Sequence, residues 1–482
     1  MPEVRVRFAP SPTGELHIGG ARTALFNLLF VRKEKGTFVL RIDDTDTERS
    51  RNEYIDKLIE SMSWLGLNWD EGPYYQSQRL KEYQKEANRL LVEGKAYQCY
   101  CSVEELAAGR EEARKENKTY LYPGICRNLT QDRIDVFEKE GRKPVIRLIT
   151  PDFGSTVVHD EIRGEVSFEN EHLDDFIIVK SNGQPTYNFA SVVDDMQMKI
   201  SHIIRAEEHL SNTPRQQLCF NALGYSKPRF AHVPMILAPD RSKLSKRHGA
   251  TSVEEFRNEG YLPEALINYM VLLGWSPGND EEILSLDSMI DKFSLKKVNK
   301  TAAIYDINKL GWMNSHYLRE YNLERLYEAA VPFFKRKGLV KEPVEEFQKA
   351  FIKRVINAVR ERAKTLIELA DLSVYFFESN FSYDEKGLKK HFLKEGSAEF
   401  LQKTAEVLKA LPEFNHESAE NCINLLAENL EVSKGCLIPL ARLALTGVMG
   451  GPGLFEIMIL LGKEETAARL ERAAEYIEKE LR

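Results

Sequence analysis

Along the first hundred residues, the hydrophobic pattern alternates between the period of a strand and that of a helix. Apolar and charged residues alternate over residues 4–9, which predicts a strand, and apolar residues recur at helical spacing from residue 21 to residue 29. The same criteria predict a strand at residues 37–42 and amphipathic helices at residues 52–65 and 79–93. This succession is typical of the first half of an α/β nucleotide-binding fold.

The pattern changes twice along the rest of the chain. Residues 97–185 show short strands and turns, with strands expected at residues 145–150 and 176–180, before a further strand at residues 200–205. Helical spacing dominates after residue 249, and hardly any strand pattern is visible after residue 323. Helices are expected there at residues 319–337, 344–369, 398–410 and 464–480. An interrupted α/β part is therefore followed by a mostly helical part.

The segment His17-Ile-Gly-Gly20 lies at the turn between the first predicted strand and helix. A helix that starts there presents free N–H groups and the positive end of its dipole, which suit a phosphate. Gly19 and Gly20 would let a base and ribose lie against the backbone, and His17 could donate to phosphate oxygens. Taken alone, so short a match favours an ordinary helix start beside a surface histidine.

A basic segment, Lys243-Leu-Ser-Lys-Arg247, follows an apolar run at residues 230–237 and a Pro-Asp turn. This order predicts a buried strand that leads into a mobile loop. Lys243 and Lys246 could converge on a polyphosphate and stabilise the charge that develops on its α-phosphate and on departing pyrophosphate. Alone the segment favours a solvated basic turn, but together with His17–Gly20 it indicates an ATP site closed from two sides.

Composition narrows the class of protein without identifying it. A chain of 482 residues is expected to form about two to four domains. Its 43% hydrophobic and 29% charged residues are typical of a soluble globular protein, and no apolar run is long enough for a membrane span. The charged N-terminal strand does not resemble a secretory signal, and six cysteines do not suggest a disulfide scaffold, so the reducing cytoplasm is expected.

The net charge of −7 is unusual for an RNA-binding protein. Basic residues nevertheless cluster at residues 241–247 and 353–364, and RNA binding requires basic patches rather than a basic total. An ordinary solvated surface is the alternative explanation for each cluster. The acidic remainder would discourage nonspecific binding to nucleic acid.

Several motifs together resemble the bacterial type of glutamyl-tRNA synthetase, a class I family. They occur in the family's order: Arg7-Phe-Ala-Pro-Ser-Pro-Thr-Gly14, His17–Gly20, Arg41-Ile-Asp-Asp-Thr-Asp46, Tyr187, Arg205-Ala-Glu-Glu-His-Leu-Ser-Asn-Thr-Pro-Arg215 and Lys243–Arg247. The resemblance continues through Lys309-Leu-Gly-Trp-Met-Asn314 and covers essentially the whole chain. Glutaminyl enzymes carry a β-barrel anticodon domain, so a helical C-terminal part favours the glutamyl family.

The resemblance implies an α/β Rossmann-type catalytic domain with an insertion, followed by a stem-contact region and an all-α anticodon-binding domain. The two catalytic halves are expected at residues 1–96 and 186–249, the second with the KMSKS-like loop. The insertion, which would bind the tRNA acceptor end, is expected at residues 97–185. The stem-contact region would span residues 250–322, and the anticodon-binding domain residues 323–482.

The implied activity is the ATP-dependent activation of L-glutamate, with Mg²⁺ on the phosphates, and transfer from glutamyl-adenylate to the 3′-terminal ribose of tRNA. In this family activation typically requires tRNA. The expected partner is tRNA(Glu), and no motif excludes tRNA(Gln), alone or in addition. A monomer without membrane contact is expected. A small-molecule adenylyltransferase would not need the helices after Gly249, and a noncatalytic RNA-binding paralogue would not need His17, Lys243 and Lys246.

The resemblance also assigns roles to single residues. Transition-state contacts are expected from His17, Lys243 and Lys246, and ATP contacts from Gly19, Gly20, Ala21, Glu208, Ile236, Lys246 and Arg247. Glutamate brings two carboxylates and an ammonium group, which require two cationic forks and an acid. The matching residues are Arg7, Ala9, Ser11, Asp43, Tyr187, Ser191 and Arg205. Arg7 would bind the side-chain carboxylate and Arg205 the α-carboxylate, although a strand arginine such as Arg7 could also face solvent.

The anticodon helix of the family is similar to the segment that contains Arg360, Arg362 and Lys364. Such domains read unstacked bases with arginines and stacking surfaces. These three residues are therefore the candidates for RNA contact.

Three features depart from the family pattern. Asp43 replaces a glutamate, and its shorter stem could require a water between the carboxylate and the α-amino group. Ser191 replaces an asparagine in the same pocket. Cys99, Cys101 and Cys126 resemble a family zinc site in which Asn128 occupies the place of a histidine. Tyr122 would complete a weaker tetrahedral Zn²⁺ site, and three reduced thiols in a loop are an equally weighted alternative.

Overall fold

The computed structural model describes residues 3–45, 51–341 and 343–481 of the chain. These residues fold into two compact units, one of Met1–Phe256 with Leu266–Ile307 and one of Arg257–Ala265 with Asn308–Arg482. Within the described ranges, no helix has both the length and the apolar character needed to cross a bilayer.

The strands all lie in the first unit. In chain order they are β1 Arg5–Phe8, β2 Thr37–Ile42, β3 Glu71–Tyr75, β4 Ala96–Cys99, β5 Val145–Leu148, β6 Ser155–Asp160, β7 Gly164–Glu169, β8 Ile177–Val179, β9 His202–Ala206, β10 Arg229–Val233, β11 Ile236–Leu237 and β12 Ala303–Ile304. Seven of them form the main sheet in the order β3-β2-β1-β9-β10-β6-β7. All neighbours from β3 to β6 pair in parallel, and β7 is antiparallel to β6.

Helices cover this sheet and begin within two residues of the positions predicted for them in the first hundred residues. The helices that lie wholly or mostly in the first unit are α1 Ile18–Lys33, α2 Asn52–Trp64, α3 Leu80–Val92, α4 Val103–Lys115, α5 Gln131–Lys139, α6 Tyr187–Gln197, α7 Thr213–Leu223, α8 Val253–Asn258, α9 Pro263–Leu272 and α10 Leu286–Lys292. Helix α1 packs on β1, β2 and β9 and is buried on almost every side, which explains its alanine- and leucine-rich sequence. The Rossmann-type fold class is confirmed.

The order of the central strands positions the site. From β1 the chain runs outward to β2 and β3, and β9 and β10 return on the other side of β1. In open α/β sheets, ligands bind beyond the carboxyl ends of the strands where the order reverses. That position here is the edge after Phe8 of β1 and Ala206 of β9.

Residues 97–185 differ from the expected picture in two ways. Strands β4, β5 and β8 form a separate antiparallel sheet, but β6 and β7 extend the main sheet beside β10. The segment also contains the helices α4 and α5, which the hydrophobic pattern did not reveal. A local signal for α4 was present, because Ser102 and Glu105 form a capping box at its start.

Helices form the second unit, and the described part of it contains no strand, as predicted. They are α11 Ile307–Glu320, α12 Leu323–Arg336, α13 Glu346–Val359, α14 Leu366–Asp371, α15 Val374–Phe377, α16 Glu385–Gly387, α17 Ser397–Lys409, α18 His416–Asn429, α19 Lys434–Thr446, α20 Leu454–Leu461 and α21 Lys463–Glu480. Two expected helices are interrupted. Helix α11 ends at Glu320 and Asn322 caps the start of α12, while α13 ends at Val359 and Thr365 caps the start of α14. Apolar spacing alone did not show these boundaries.

The bend at Gly260 gives a stability test in the second unit. Its φ is +83°, and a Cβ atom there would lie 2.8 Å from the backbone nitrogens of Leu366 and Ile367. Gly338 has a similar φ of +79° but open space around it. We expect Gly338→Ala to cost only the conformational penalty of about 1 kcal/mol. Gly260→Ala should cost more, because the methyl group also pushes against the α14 backbone.

The measurement is the midpoint of thermal or urea unfolding, followed by far-UV circular dichroism. Equal midpoints for the two variants would contradict the close packing at Gly260.

Candidate active site

Arg7 enters the candidate site from β1, and its side chain is buried rather than solvent-facing. Its Nε and Nη2 donate to the two carboxylate oxygens of Asp195 on α6, at 3.0 and 3.5 Å. Arg5, on the same strand, instead binds Glu71 at the edge of the unit. Arg7 is therefore held by a buried carboxylate, and among the described residues its Nη1 has no hydrogen-bond partner.

A second arginine from β2 completes a buried charge network beneath this position. Arg41 donates to Asp43 at 2.6 Å, to Asp195 at 2.7 Å and to Ser191 at 3.1 Å. Asp194 lies 3.8 Å from the same guanidinium. Burial opposes the ionisation of Asp195, but Arg7 and Arg41 hold its pKa below the ordinary value. The carboxylates of α6 thus fix both arginines.

Asp43 and Ser191 lie in this network. Both side chains are buried and bind Arg41, and the Ser191 hydroxyl oxygen accepts a hydrogen bond from its guanidinium. Burial raises the pKa of Asp43 to about 6, with the negative charges of Asp194 and Asp195 adding to the effect and Arg41 opposing it. A direct contact of either residue with glutamate stays a prediction.

Arg205 on β9 differs from the other two arginines, because no carboxylate of the described residues binds it. Its Nε donates to His232 at 3.1 Å and its Nη2 to Thr213 at 2.8 Å. Its Nη1 is buried without any hydrogen-bond partner in the described structure. Burial lowers the pKa of Arg205, and the charge of Arg7 lowers it further. A buried cation with a free donor is costly unless an anion binds to it.

Tyr187 and His209 lie beside this free donor. The Tyr187 hydroxyl is 3.3 Å from His209 Nδ1, and both side chains are half-buried. Burial lowers the pKa of His209 to about 4, and the charges of Arg205 and Arg7 contribute to the shift. His209 is therefore neutral at pH 7. Two arginines, a phenol and a neutral imidazole make this part of the site suitable for an anion with hydrogen-bonding oxygens.

His17 caps the start of α1, where a phosphate was expected. Its Nδ1 accepts a hydrogen bond from the Gly20 N–H at 3.2 Å. Desolvation by the surrounding protein and the nearby positive charge of Lys243 lower the pKa of His17, and the negative charge of Glu208 opposes the shift. In the neutral ring that accepts at Nδ1, the proton is on Nε2, which leaves Nε2 as a donor. Because Ile18 N–H and Gly20 N–H already have partners within the protein, His17 Nε2 and the positive end of the α1 dipole are what this turn offers to phosphate oxygens.

Backbone hydrogen bonds connect the two ATP motifs. Ile18 N donates to Thr251 O, and Val253 N donates to Leu16 O, each at 2.9 Å. The strand-like segment after the basic loop is thus fixed directly beside His17. The loop itself is anchored at its start by a bridge between Lys243 and Leu237.

The remaining ATP candidates surround this arrangement. Lys243, Arg247 and Glu208 are exposed, and the charge of Glu208 reaches His17. Arg247 donates to Ser242 within the loop. Lys246 begins a 3-10 turn, but its side chain lies outside the described part of the structure, as does Asp46 of the Arg41 motif. The other candidates are Gly19 and Gly20, half-buried, and Ala21 and Ile236, buried.

The turn after β1 carries the last two glutamate candidates, Ala9, half-buried, and Ser11, exposed. Pro10 between them accepts a hydrogen bond from Asp43 N at 3.0 Å. The turn is therefore fixed to the segment after β2. Its residues lie at the strand edge where the sheet order reverses.

The three predicted zinc ligands converge. The sulfur atoms of Cys99, Cys101 and Cys126 lie within 4.8 Å of one another, and no other such group of three occurs among the described residues. The Tyr122 oxygen is 3.3 Å from Cys99 Sγ and 3.4 Å from Cys101 Sγ. Hydrogen bonding with Cys126 and Tyr122 lowers the pKa of Cys99 to about 4, although burial opposes the shift. Three thiols are ligands that Zn²⁺ prefers, and the Tyr122 oxygen is near enough to be the fourth donor of a tetrahedral site.

The three RNA candidates are not on an α-helix. Arg360–Arg362 is a 3-10 turn between α13 and α14, and Lys364 follows it. Arg360 is buried and donates to the carbonyl of Tyr321 at 2.8 Å, so it stabilises the unit itself. Only Arg362 and Lys364 are exposed.

Sequence reasoning missed several residues that shape the site. Asp195, His209 and His232 bind or surround the arginines, but none was a candidate. His209 lies inside the matched motif that starts at Arg205, so the motif could have identified it as a candidate. His232 is a single histidine in the apolar run at residues 230–237. A single histidine in an apolar run is ordinarily a core residue whose hydrogen bonds are made within the fold. The pattern therefore gave little reason to select His232 as a candidate.

Comparisons with known proteins match almost the whole chain. The family described as "tRNA synthetases class I (E and Q), catalytic domain" matches residues 3–312, and "Anticodon binding domain" matches residues 325–474. "Glutamate--tRNA ligase 1" of Caldanaerobacter subterraneus subsp. tengcongensis is 57% identical over 482 residues, the whole of both chains. "Glutamate--tRNA ligase" of Moorella thermoacetica is 59% identical over 489 aligned positions, again covering both chains completely.

A solved structure supports the same assignment at the level of the fold. The crystal structure of a glutamate tRNA ligase from Elizabethkingia meningosepticum in complex with its amino acid superposes with a TM-score of 0.88. It is 35% identical, and the match covers 98% of this chain and 100% of that one. The chain therefore belongs to the glutamate–tRNA ligase family of class I aminoacyl-tRNA synthetases.

Proposed function

We propose that this chain activates L-glutamate with ATP and transfers the glutamyl group to the 3′-terminal ribose of tRNA(Glu). The observation that carries the choice of amino acid is Arg205, a buried cation with an unpartnered Nη1 and no carboxylate partner in the described structure. A substrate carboxylate would supply the missing anion. Arg7, whose Nη1 also has no hydrogen-bond partner among the described residues, supplies the second cation that a dicarboxylate requires.

We assign Arg7 to the side-chain carboxylate and Arg205 to the α-carboxylate, with Tyr187 as a hydrogen-bonding neighbour. The ionised Asp43 would attract the α-ammonium group, directly or through water. Ala9, Ser11 and Ser191 would limit the shape of this pocket.

In the activation step, an α-carboxylate oxygen attacks the α-phosphorus of ATP, which reacts as its Mg²⁺ complex. The bond between the α-phosphorus and the oxygen that bridges the α- and β-phosphates breaks, and pyrophosphate leaves. His17 Nε2 and the start of α1 would bind the phosphates on one side, and Lys243 and Lys246 on the other. Gly19, Gly20, Ala21, Glu208, Ile236 and Arg247 would hold the nucleotide. Positioning and charge stabilisation suffice, so this step requires no general base.

In the transfer step, a terminal ribose hydroxyl attacks the adenylate carbonyl and releases AMP. For the tRNA, we propose that Arg362 and Lys364 contribute to the anticodon contact, since they are the exposed members of their cluster.

A direct assay tests the whole proposal. The protein is incubated with radiolabelled glutamate, ATP and either tRNA(Glu) or tRNA(Gln), and acid-precipitable label is measured. Charging of tRNA(Glu) is the expected result. Charging of tRNA(Gln) alone would show that tRNA(Gln), and not tRNA(Glu), is the substrate. Absence of charging with either tRNA would contradict the function.

Lys243→Ala tests the contribution of the basic loop. Loss of one charge-stabilising donor is expected to raise the activation barrier by about 2 to 4 kcal/mol, a fall of about 30- to 1000-fold in rate. The measurement is ATP–pyrophosphate exchange with tRNA present, and Lys227→Ala, at another exposed lysine, is the control. An exchange rate equal to that of the control would contradict the assignment.

The pKa of Asp43 gives a prediction for the dependence on pH. Because this pKa is raised to about 6, the carboxylate is protonated at lower pH and can no longer attract the substrate ammonium group. We expect kcat/KM for glutamate to fall as pH decreases through about 6. Asp43→Asn should be less active at neutral pH and lack this decline.

Asp135→Asn, at an exposed carboxylate on α5, is the control and should keep the parent profile. An unchanged acidic limb in Asp43→Asn would show that another group titrates.

We also propose a structural Zn²⁺ held by Cys99, Cys101, Cys126 and Tyr122. When bound, the ion would join the start of α4 to the Tyr122 loop. Protein purified without chelator should contain about one zinc per chain. Cys126→Ser should reduce the zinc content strongly, whereas Cys436→Ser on α19 should not. Well under one zinc per parent chain, measured by atomic emission, would refute the site.

A further inference from the structure

Three buried side chains on neighbouring strands form a chain of hydrogen bonds that ends at Arg205. Asp160 is at the end of β6, His232 is on β10 and Arg205 is on β9. His232 Nδ1 lies 2.6 Å from Asp160 Oδ2, and Arg205 Nε donates to His232 Nε2 at 3.1 Å. The side chains of Asp160 and His232 have no solvent exposure. The sheet register aligns His232 directly with Arg205.

Asp160 determines how His232 must be protonated. Its carboxylate accepts backbone N–H groups from Ile162 at 3.0 Å, Arg163 at 2.8 Å and His232 at 3.0 Å. These bonds and the imidazole lower the pKa of Asp160 although burial opposes its ionisation. An ionised carboxylate only accepts hydrogen bonds, so His232 Nδ1 donates to it.

The opposite nitrogen is then an acceptor, provided that the ring is neutral. Burial lowers the pKa of His232, and the adjacent charges of Arg205 and Arg163 act in the same direction, while Asp160 opposes them. Neutral His232 therefore presents an Nε2 lone pair to Arg205. The other tautomer would turn an N–H group towards the guanidinium and remove this bond.

The bond to His232 also determines which donor Arg205 has left. Nε is used by His232, and Nη2 is used by Thr213 and, at 3.4 Å, by the carbonyl of His209. The guanidinium is planar, so binding two of its nitrogens fixes the direction of the third. The remaining nitrogen, Nη1, is the buried atom without a partner.

We propose that Asp160 and His232 are positioning residues that hold Arg205 with Nη1 free for the substrate carboxylate, and that they thereby set the affinity for glutamate. This inference rests on the proposed role of Arg205 in glutamate binding. It assigns to β6, a strand at the far side of β10, an indirect part in substrate recognition.

Two substitutions at one position separate positioning from packing. In His232→Asn, the amide nitrogen can replace Nδ1 and keep the bond to Asp160, but no atom replaces Nε2. In His232→Gln, the amide oxygen can reach the Nε2 position and accept from Arg205. His202→Asn, at a half-buried histidine on the same strand as Arg205, is the control.

The measurement is steady-state aminoacylation of tRNA(Glu) by the full chain, with KM determined for glutamate and for ATP. His232→Asn should raise KM for glutamate about 10- to 100-fold, because a hydrogen bond to a charged group is lost. KM for ATP should stay unchanged. His232→Gln should restore KM for glutamate to within a few-fold of the parent, and His202→Asn should match the parent.

Equal KM values for glutamate in the Asn and Gln variants would overturn the inference, as would a loss of kcat and thermal stability without a change in KM. If His232→Asn does not fold, Asp160→Asn replaces it, because a neutral amide no longer fixes the tautomer, and the same rise in KM is expected. Arg205→Lys tests the proposed role of Arg205 separately from the positioning by His232. An unchanged KM for glutamate there would refute the proposed role of Arg205, whereas a raised KM there with none in His232→Asn would refute only the positioning.

Discussion

Two adjacent aspartates on α6, Asp194 and Asp195, keep two arginine charges inside the first unit. Asp195 binds Arg7 of β1 and Arg41 of β2, and Asp194 accepts hydrogen bonds from Arg79, Gln76 and Tyr83. Removing one member of such a set leaves a buried charge without compensation, which is far more destabilising than breaking a surface ion pair. The position of α6 against the sheet, and with it Tyr187 at its start, therefore depends on these carboxylates.

The same network explains why the arginines of the site are not equivalent. Arg41 is fully engaged by carboxylates and Ser191, and Arg7 is engaged on one side by Asp195. The partners of Arg205 in the described part of the chain are all neutral: His232, Thr213 and a carbonyl. The number of carboxylate partners thus decreases from Arg41 on β2 through Arg7 on β1 to Arg205 on β9. Arg205 lies at the strand edge where an anionic ligand is expected.

Much of the arrangement proposed to bind ATP could be predicted, because its signals are local. Helix α1 starts immediately after His17, and the segment beyond the basic loop lies directly beside it. The glutamate part was predictable only through Arg7, Tyr187 and Arg205, which belong to recognisable motifs. The residues that hold these side chains in place could not be predicted, because Arg7 and Asp195 are 188 positions apart and His232 and Asp160 are 72 apart. Arg360 shows the converse, because a candidate for RNA contact proved to be buried.

The sequence by itself determined the family, the α/β part followed by a helical part, and the residues that could meet ATP and glutamate. Those features depend on periodicity, on turn residues and on short motifs, all of which act between close neighbours in the chain. The tertiary structure alone decided that β6 and β7 join the main sheet, which charges are paired and which donor is left over. Pairing of buried charges depends on contacts between distant strands and helices, and only the folded sheet brings those residues together.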